Sequence, residues 1–465
     1  MSERIEQSIQ IFDSGRIDAS LAVAHMVNQL DSVGIEASAS QEISTEAPLA
    51  MVTMRSPYPA AAHVLYALKE SGVPLRAEDR SEDDPIMVFG GMAMRNPFFL
   101  DQIYDAAWVG DALPQTFEGI RATLESSDMN RTEKLQVLKD HGFYIPSLAN
   151  KNEKPIFHTN HDYGFSLVVD KQLEVVEFSN DRNTHATAQI EVKRGCGMGC
   201  AFCVDAATDS QTMPMMQFRK HIEETLEDNP GIGNLRISFP ALTGKEFLAF
   251  LQEAKRILAD NESSASINIG STAPHQYSAE VAKELASLGQ QTMTFAPEVA
   301  AGTHDDVDLR KENKRWLTDK ALFRAIRNGV DAGMQKLVLY HLTGFPGETD
   351  AHLQAFADMV ERITQEYPEL TMVRVVSNPV FITPGTPLEH AAQITFGEAQ
   401  RRRDVIQEAL GKIPSVEFRS MLDLAVDTFY DRAHSAEVGF QQAFFQRATT
   451  KMNHVFFEGF LTGFP

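Results

Sequence analysis

Cysteine is almost missing from this 465-residue chain, which has only three. So few thiols exclude a disulfide-stapled fold. Basic charge falls well short of acidic charge, 42 Lys and Arg against 64 Asp and Glu, for a formal net charge of −22. That balance argues against sequence-independent binding of DNA or RNA, which depends on neutralising phosphates. No apolar run approaches the ~20 residues that cross a bilayer. The first residues, Met1-Ser2-Glu3-Arg4-Ile5-Glu6, are polar, so no signal peptide and a cytoplasmic, soluble protein are expected. The rest is ordinary for globular chains, 43% hydrophobic and 23% charged. The length suits about two or three domains.

All three cysteines stand in one eight-residue window within Arg194-Gly195-Cys196-Gly197-Met198-Gly199-Cys200-Ala201-Phe202-Cys203. Three thiolates on a short loop can hold three irons of a [4Fe–4S] cluster, whose usual complement is four cysteines. The missing ligand leaves one iron open, and an open position is where a metal site does chemistry. The interleaved glycines suit a backbone that wraps closely around an inorganic core. Zinc is one alternative, with His185 as a conceivable fourth ligand, but structural zinc favours two-by-two spacing. Chance grouping of buried cysteines is the other.

Around this window the chain alternates between strand and helix patterns. Residues 1–45 read as helical, with Leu21, Val23, Val27 and Leu30 buried. Strands are expected at 50–54, at 85–89 ending in Gly90-Gly91, and at 106–111 ending in Gly110-Asp111. Helices are expected at 60–71 and 114–124. This alternation implies a Rossmann-like, doubly wound parallel sheet. Ligands of such sheets bind beyond the strands' carboxyl ends, where these glycines lie, although tight turns explain the same glycines. A polar linker follows at 150–155, then a hairpin of 165–169 against 173–178. Six further strands, at 189–193, 235–239, 266–269, 291–295, 337–342 and 372–377, alternate with helices. The expected fold class is therefore α/β: a doubly wound domain over 1–147, a linker and hairpin over 148–188, a partial (β/α)6 barrel over 189–411, and a helical C-terminal cap over 412–465. Active sites of such barrels lie at the strands' C-terminal ends.

The cysteine motif resembles the signature of the radical S-adenosylmethionine (SAM) superfamily, with Phe202 as the aromatic residue before the third cysteine. The resemblance implies that Cys196, Cys200 and Cys203 bind the cluster, whose free iron chelates the amino and carboxylate groups of SAM. Reductive cleavage then gives methionine and a 5′-deoxyadenosyl radical, which abstracts hydrogen from an unactivated carbon. It further implies an external one-electron reductant of the flavodoxin or ferredoxin type and a small-molecule or peptide substrate. Ser238 stands where the superfamily carries a Gly-Gly-Glu-type motif. Phe295-Ala296-Pro297-Glu298 resembles an Ala-Pro-Glu motif, making Glu298 a SAM-contact candidate, with a helix N-terminal charge as the rival reading. Gly344-Phe345-Pro346-Gly347-Glu348-Thr349 is similar to a Gly-Leu-Pro-Gly-Glu-Thr element placed near the adenine. This makes Gly344 and Glu348 cofactor candidates, or leaves Glu348 to hold the loop. Residues 378–387 match a proline-rich architectural turn.

The stretch 87–111, with Gly90-Gly91, Asn96-Pro97, Asp105 and Gly110-Asp111, is similar to cobalamin-binding-like domains that precede radical SAM domains. Gly90, Gly91 and Gly110 are the corresponding cofactor candidates. The D-x-H-x-x-G motif that supplies a histidine to cobalt is absent, so two outcomes stay open. With cobalamin, the resemblance implies C-methylation; without it, rearrangement, cyclisation or oxidation. A non-catalytic Fe–S or zinc protein is the reading from a different class. Tyr340 and His341 are expected at the cavity, though a buried, hydrogen-bonded histidine is commoner. Lys193 and Arg194 are expected to balance the cluster's charge, and Arg310 and Lys314 to lie in a solvated loop. Phe440, Phe444 and Phe445 are expected to pack as core or to cap the barrel mouth.

Overall fold

Ile9 and Ile11 are fully buried, in a strand, within the stretch expected to be helical. A computed structural model of the chain describes residues 8–13, 21–40, 42–54, 64–65, 67–95, 97–150, 153, 155–156, 158, 167–170, 186–206, 210–238, 242–269, 272–298, 308–383, 386–392, 394 and 396–420. The chain divides into two compact units, built mainly on residues 1–164 and 185–423.

In the first unit, β1 (Ser8–Asp13), β2 (Glu36–Ser40), β3 (Leu49–Thr53), β4 (Ile86–Gly90) and β5 (Ala106–Ala107) form one parallel sheet in the order β2-β1-β3-β4-β5. Of the expected N-terminal helix, Leu21–Ser32 is helical and directs Val23 and Leu30 into the core. The correction has a simple cause: two alternating isoleucines are too short a signal to separate strand from helix. β3 is buried along its whole length, as a parallel strand covered on both faces must be. Helix Pro114–Glu125 starts with proline at its first turn and lays Phe117, Ile120 and Leu124 into that core.

β5 stops four residues short of the expected end, because a distant segment takes over its edge. Gly110 pairs with His158. His158 N–H donates to the Val109 carbonyl at 2.9 Å, and Asp111 N–H donates to that of His158 at 2.9 Å. The His158 ring stacks on Trp108, with centroids 3.9 Å apart and planes at 12°.

Asp105 is the charged knot of this unit. Its Oδ2 lies 2.8 Å from Arg80 and from Arg131, and accepts the Met87 N–H at 2.8 Å. The Arg80–Asp105 pair is shut off from water, at 0% and 2% side-chain exposure. Burying two charges is tolerable only when they meet, and removing one partner strands the other.

In the second unit, β6 (Leu167–Asp170) pairs antiparallel with β7 (Ala186–Glu191). The expected hairpin partner, 173–178, lies outside the described residues. β7, β10 (Ile232–Ser238) and β11 (Ser266–Ile269) are parallel. So are β12 (Thr292–Glu298), β13 (Lys336–Thr343), β14 (Met372–Pro379) and β15 (Val416–Ser420). A parallel bridge between Thr272 and Phe295 joins the two sets. Between them β8 (Lys193–Arg194) and β9 (Gln211–Thr212) form a two-stranded ribbon. Helices Met215–Asp228, Gly244–Asp260, Ala279–Ser287, Asp319–Asp331, Asp350–Glu366 and Phe396–Leu410 separate the parallel strands. The result is the expected partial β/α barrel with one more strand, since β15 extends the sheet from within the segment read as a helical cap. Phe440, Phe444 and Phe445 lie outside the described residues.

Replacing Asp105 by alanine leaves two guanidinium groups without their shared partner and should cost about 3–5 kcal/mol. Urea denaturation checks this: a markedly lower midpoint is expected, and a wild-type midpoint would contradict it.

Candidate active site

β7 delivers the cysteine loop, and the β8–β9 ribbon closes its base, with Lys193 opposite Thr212 and Arg194 opposite Gln211. Gly195, Gly197 and Gly199 all have left-handed φ, at 66°, 65° and 68°. Cys196, Met198 and Cys200 between them do not. Left-handed glycines at alternate positions are a feature of loops that wrap anions and Fe–S centres. A side chain at any of the three glycines would be strained.

Hydrogen bonds fix the loop. Cys196 N–H donates to the Asp205 carbonyl at 2.8 Å, Cys203 N–H to that of Cys200 at 3.1 Å, and Ala201 N–H to that of Asn313 at 3.0 Å. All three thiols are free. Burial pushes the Cys203 thiol up to about 11. Burial also raises the Cys196 thiol, against the Met198 N–H and the charges of Lys193 and Lys314, which favour its thiolate. Deprotonation then falls to a bound metal. Among the described residues no three ligand side chains converge as one ion would require. A cubane needs no such convergence, because each thiolate reaches a different iron. A glycine-rich loop with three free thiols and two nearby ammonium groups fits the [4Fe–4S] cluster.

Phe202 ties this loop to the end of β13. Its ring meets Phe345 edge-on, with centroids 5.6 Å apart, in a cluster with Leu309, Val380 and Ile382. The Phe345 loop is locked from within. Glu348 Oε2 accepts the Thr343 hydroxyl at 2.8 Å and the Gly344 N–H at 2.5 Å, and also pairs with Arg402. Gly344 has φ +97°, and a Cβ there would fall 2.7 Å from Ile394. Phe202, Gly344 and Glu348 are thus brought together, with that Glu348 oxygen engaged inside the loop. Ser238 and Glu298 end β10 and β12, at the same strand ends as the cysteine loop and Gly344. Residues 239–241 and 299–307 lie outside the described residues.

The charged run 308–317 is not solvated as expected. Arg310 and Lys314 are buried. Arg310 pairs with Asp319, and Lys314 Nζ donates to the Ala296 carbonyl at 2.5 Å. Trp316 Nε1–H donates to Cys200 Sγ at 3.3 Å. Asn313, Trp316 and Arg402 escaped the sequence reading, which gives Lys314 only as solvated. The one available signal was Trp316 itself, one of two tryptophans in the chain, set in a charged run.

Two family models match the chain: "Radical SAM proteins, N-terminal" over residues 24–146 and "Radical SAM superfamily" over 190–360. Together they span more than half of it. The chain belongs to the radical SAM superfamily. An uncharacterized protein of Methanocaldococcus jannaschii is 22% identical over 319 residues, which cover 67% of this chain and 64% of that relative. The chain thus matches just under two thirds of that protein. Among solved structures, the radical SAM methyltransferase TsrM from Kitasatospora setae, with cobalamin and a [4Fe–4S] cluster bound, aligns at a TM-score of 0.48 and 14% identity, over 83% of this chain and 74% of that one. Coproporphyrinogen III oxidase from Escherichia coli aligns at 0.34 and 15%, over 48% and 51%. Both scores are below 0.5, so the assignment rests on the two family models.

Within the radical SAM barrel, consecutive strand residues face opposite sides. Only one of Tyr340 and His341 can therefore face the lumen. His341 packs on Phe356 of helix Asp350–Glu366, ring centroids 4.0 Å apart, and its Nδ1 lies 2.8 Å from Ser377 Oγ. It sits in the helix layer, and Tyr340 takes the inner face. Leu235, Ile237, Met293, Phe295, Leu337 and Leu339 share the helix side and are buried. On the inner side Arg236 is exposed and Asn234, Thr294, Tyr340 and Asn378 are partly so.

In the first unit, Gly91 has φ +97°, and a Cβ there would lie 2.8 Å from the Met54 carbonyl oxygen. At Gly110 it would lie 2.1 Å from that of His158. Both close approaches are to the chain's own backbone. Gly90 borders open space.

Burial holds His341 neutral down to about 3, whereas an unfolded histidine titrates at about 6.5. Between those values the unfolded chain binds the extra proton. Stability should therefore fall as the pH drops from about 6.5 towards 3, by up to about 1.4 kcal/mol per pH unit. His341→Phe should flatten that slope in denaturation series between pH 7 and 4. An equal slope would show the imidazole protonated in the fold.

Proposed function

We propose that this radical SAM enzyme cleaves SAM reductively and abstracts hydrogen from an unactivated carbon of a polar small molecule or peptide. The observation that carries this is the contact of the cysteine loop with the Glu348-locked loop, through Phe202 and Phe345, at the C-terminal ends of β7 and β13. A bound [4Fe–4S] cluster supplies the electron that splits SAM into methionine and the 5′-deoxyadenosyl radical. The chain's own residues do the rest. Cys196, Cys200 and Cys203 hold three irons and leave the fourth for SAM. Glu348 and Arg402 hold the 343–349 loop, whose backbone would receive the adenine, while Ser238 and Glu298, at the ends of β10 and β12, would contact SAM. The polar groups on the inner face, with Arg236 exposed on β10, favour a polar substrate over a lipid-like one. A flavodoxin- or ferredoxin-type protein delivers the electron.

C-methylation with cobalamin is the finer proposal. The first unit's strand order is the flavodoxin-like one, whose ligand crevice opens beyond the ends of β1 and β3. Gly91 packs on Met54 just past β3, and Gly90 borders open space beside it. These features support a cofactor there, although Gly110 is accounted for by His158.

Anaerobic protein loaded with iron and sulfide, given SAM and dithionite, should release 5′-deoxyadenosine, and Cys200→Ala should lose both cluster and product. No product under several reductants would overturn the reading. The same loaded protein, incubated with hydroxocobalamin and desalted, should retain stoichiometric cobalt. None retained would return the reaction to rearrangement, cyclisation or oxidation.

A further inference from the structure

We propose that Trp316, steadied by Lys314, is a positioning residue that sets how readily the cluster is reduced, through a hydrogen bond to the middle ligand Cys200. The inference rests on the cysteine loop holding a cluster. Its basis is the end of helix Leu309–Asn313 and the residues after it, which grip the loop at three points. The Asn313 carbonyl accepts the Ala201 N–H at 3.0 Å. The Trp316 indole N–H donates to Cys200 Sγ at 3.3 Å. Lys314 Nζ, fixed on the Ala296 carbonyl, lies 5.0 Å over the Trp316 ring and 6.0 Å over that of Phe202. His275 also meets the indole edge-on, with centroids 5.2 Å apart. The indole is therefore held in place, not free to swing.

Indole N–H is a donor only, so its partner sulfur must act as acceptor. On a cluster thiolate such a bond withdraws electron density and favours the reduced, more negative state. Hydrogen bonds to the sulfurs and nearby charge are recognised controls of Fe–S potentials. The ammonium of Lys314, itself buried and set over the partly exposed ring, acts in the same direction. In a protein of net charge −22 the surrounding field opposes adding an electron, and this local donor and cation offset it.

The test is an EPR-monitored redox titration of full-length, cluster-loaded protein beside Trp316→Phe. With equal iron content, the variant should show a more negative midpoint potential. An unchanged midpoint at full occupancy would overturn the inference. Trp108→Phe, which leaves Trp316 as the sole tryptophan, provides a second measurement should Trp316→Phe fail to keep its cluster. Its fluorescence should be strongly quenched as the cluster is loaded, and unquenched emission would place the indole away from the cluster and overturn the inference. A wild-type protein that takes up no cluster would instead overturn the reading beneath it.

Discussion

Two grips hold the cysteine loop, and the rest of the site depends on them. Three left-handed glycines in five residues make a segment with little conformational preference of its own. Its shape is imposed from outside, by Asn313 and Trp316 on one side and by Phe345 against Phe202 on the other. The edge-to-face ring pair adds roughly 0.5–1.5 kcal/mol beyond the area it buries. It also makes the cysteine loop and the 343–349 loop one packed unit. A ligand held by the first then meets a fixed second surface, which is the pre-organisation that radical generation needs.

The barrel divides its labour by the two-residue period of its strands. One side of each strand is apolar and carries the helices, as Gly329 shows by letting its helix approach Met293 directly. The other side faces the lumen and sets Asn234, Arg236, Thr294, Tyr340 and Asn378 beside apolar Val338 and Val376. Charges that leave water are compensated: Arg310 by Asp319, Arg374 by Glu417, Arg402 by Glu348, and Arg80 by Asp105. Such pairs add little net stability but penalise any arrangement that separates them. At Glu348 that penalty fixes a loop which glycines would otherwise leave loose.

The cysteine triplet stood out because that spacing has few other uses, the 344–349 loop because glycine, proline and glutamate recur in a fixed order, and the two loops meet through Phe202 and Phe345. The helices between strands followed from their apolar periodicity, and the edges of β11 were read to the residue. β1 and β2 escaped because 1–45 reads as one helical stretch, and β15 because 412–465 reads as a cap. Lys314 and Arg310 looked solvated because a charged residue does not reveal its partner, here the Ala296 carbonyl and Asp319. Gly110 looked like a ligand-binding glycine, yet its close neighbour is His158, 48 positions along the chain. His341 and Tyr340 were separable by strand alternation once the strand's outer face was known.

The central claim is that three cysteines hold a cluster with one iron left open for SAM. Low-temperature EPR of the reduced, cluster-loaded protein with and without SAM tests it most directly. The account predicts a [4Fe–4S]+ signal whose g-values change when SAM is added, because SAM occupies the open iron. A signal indifferent to SAM, or a protein that carries zinc and no reducible cluster, would contradict it.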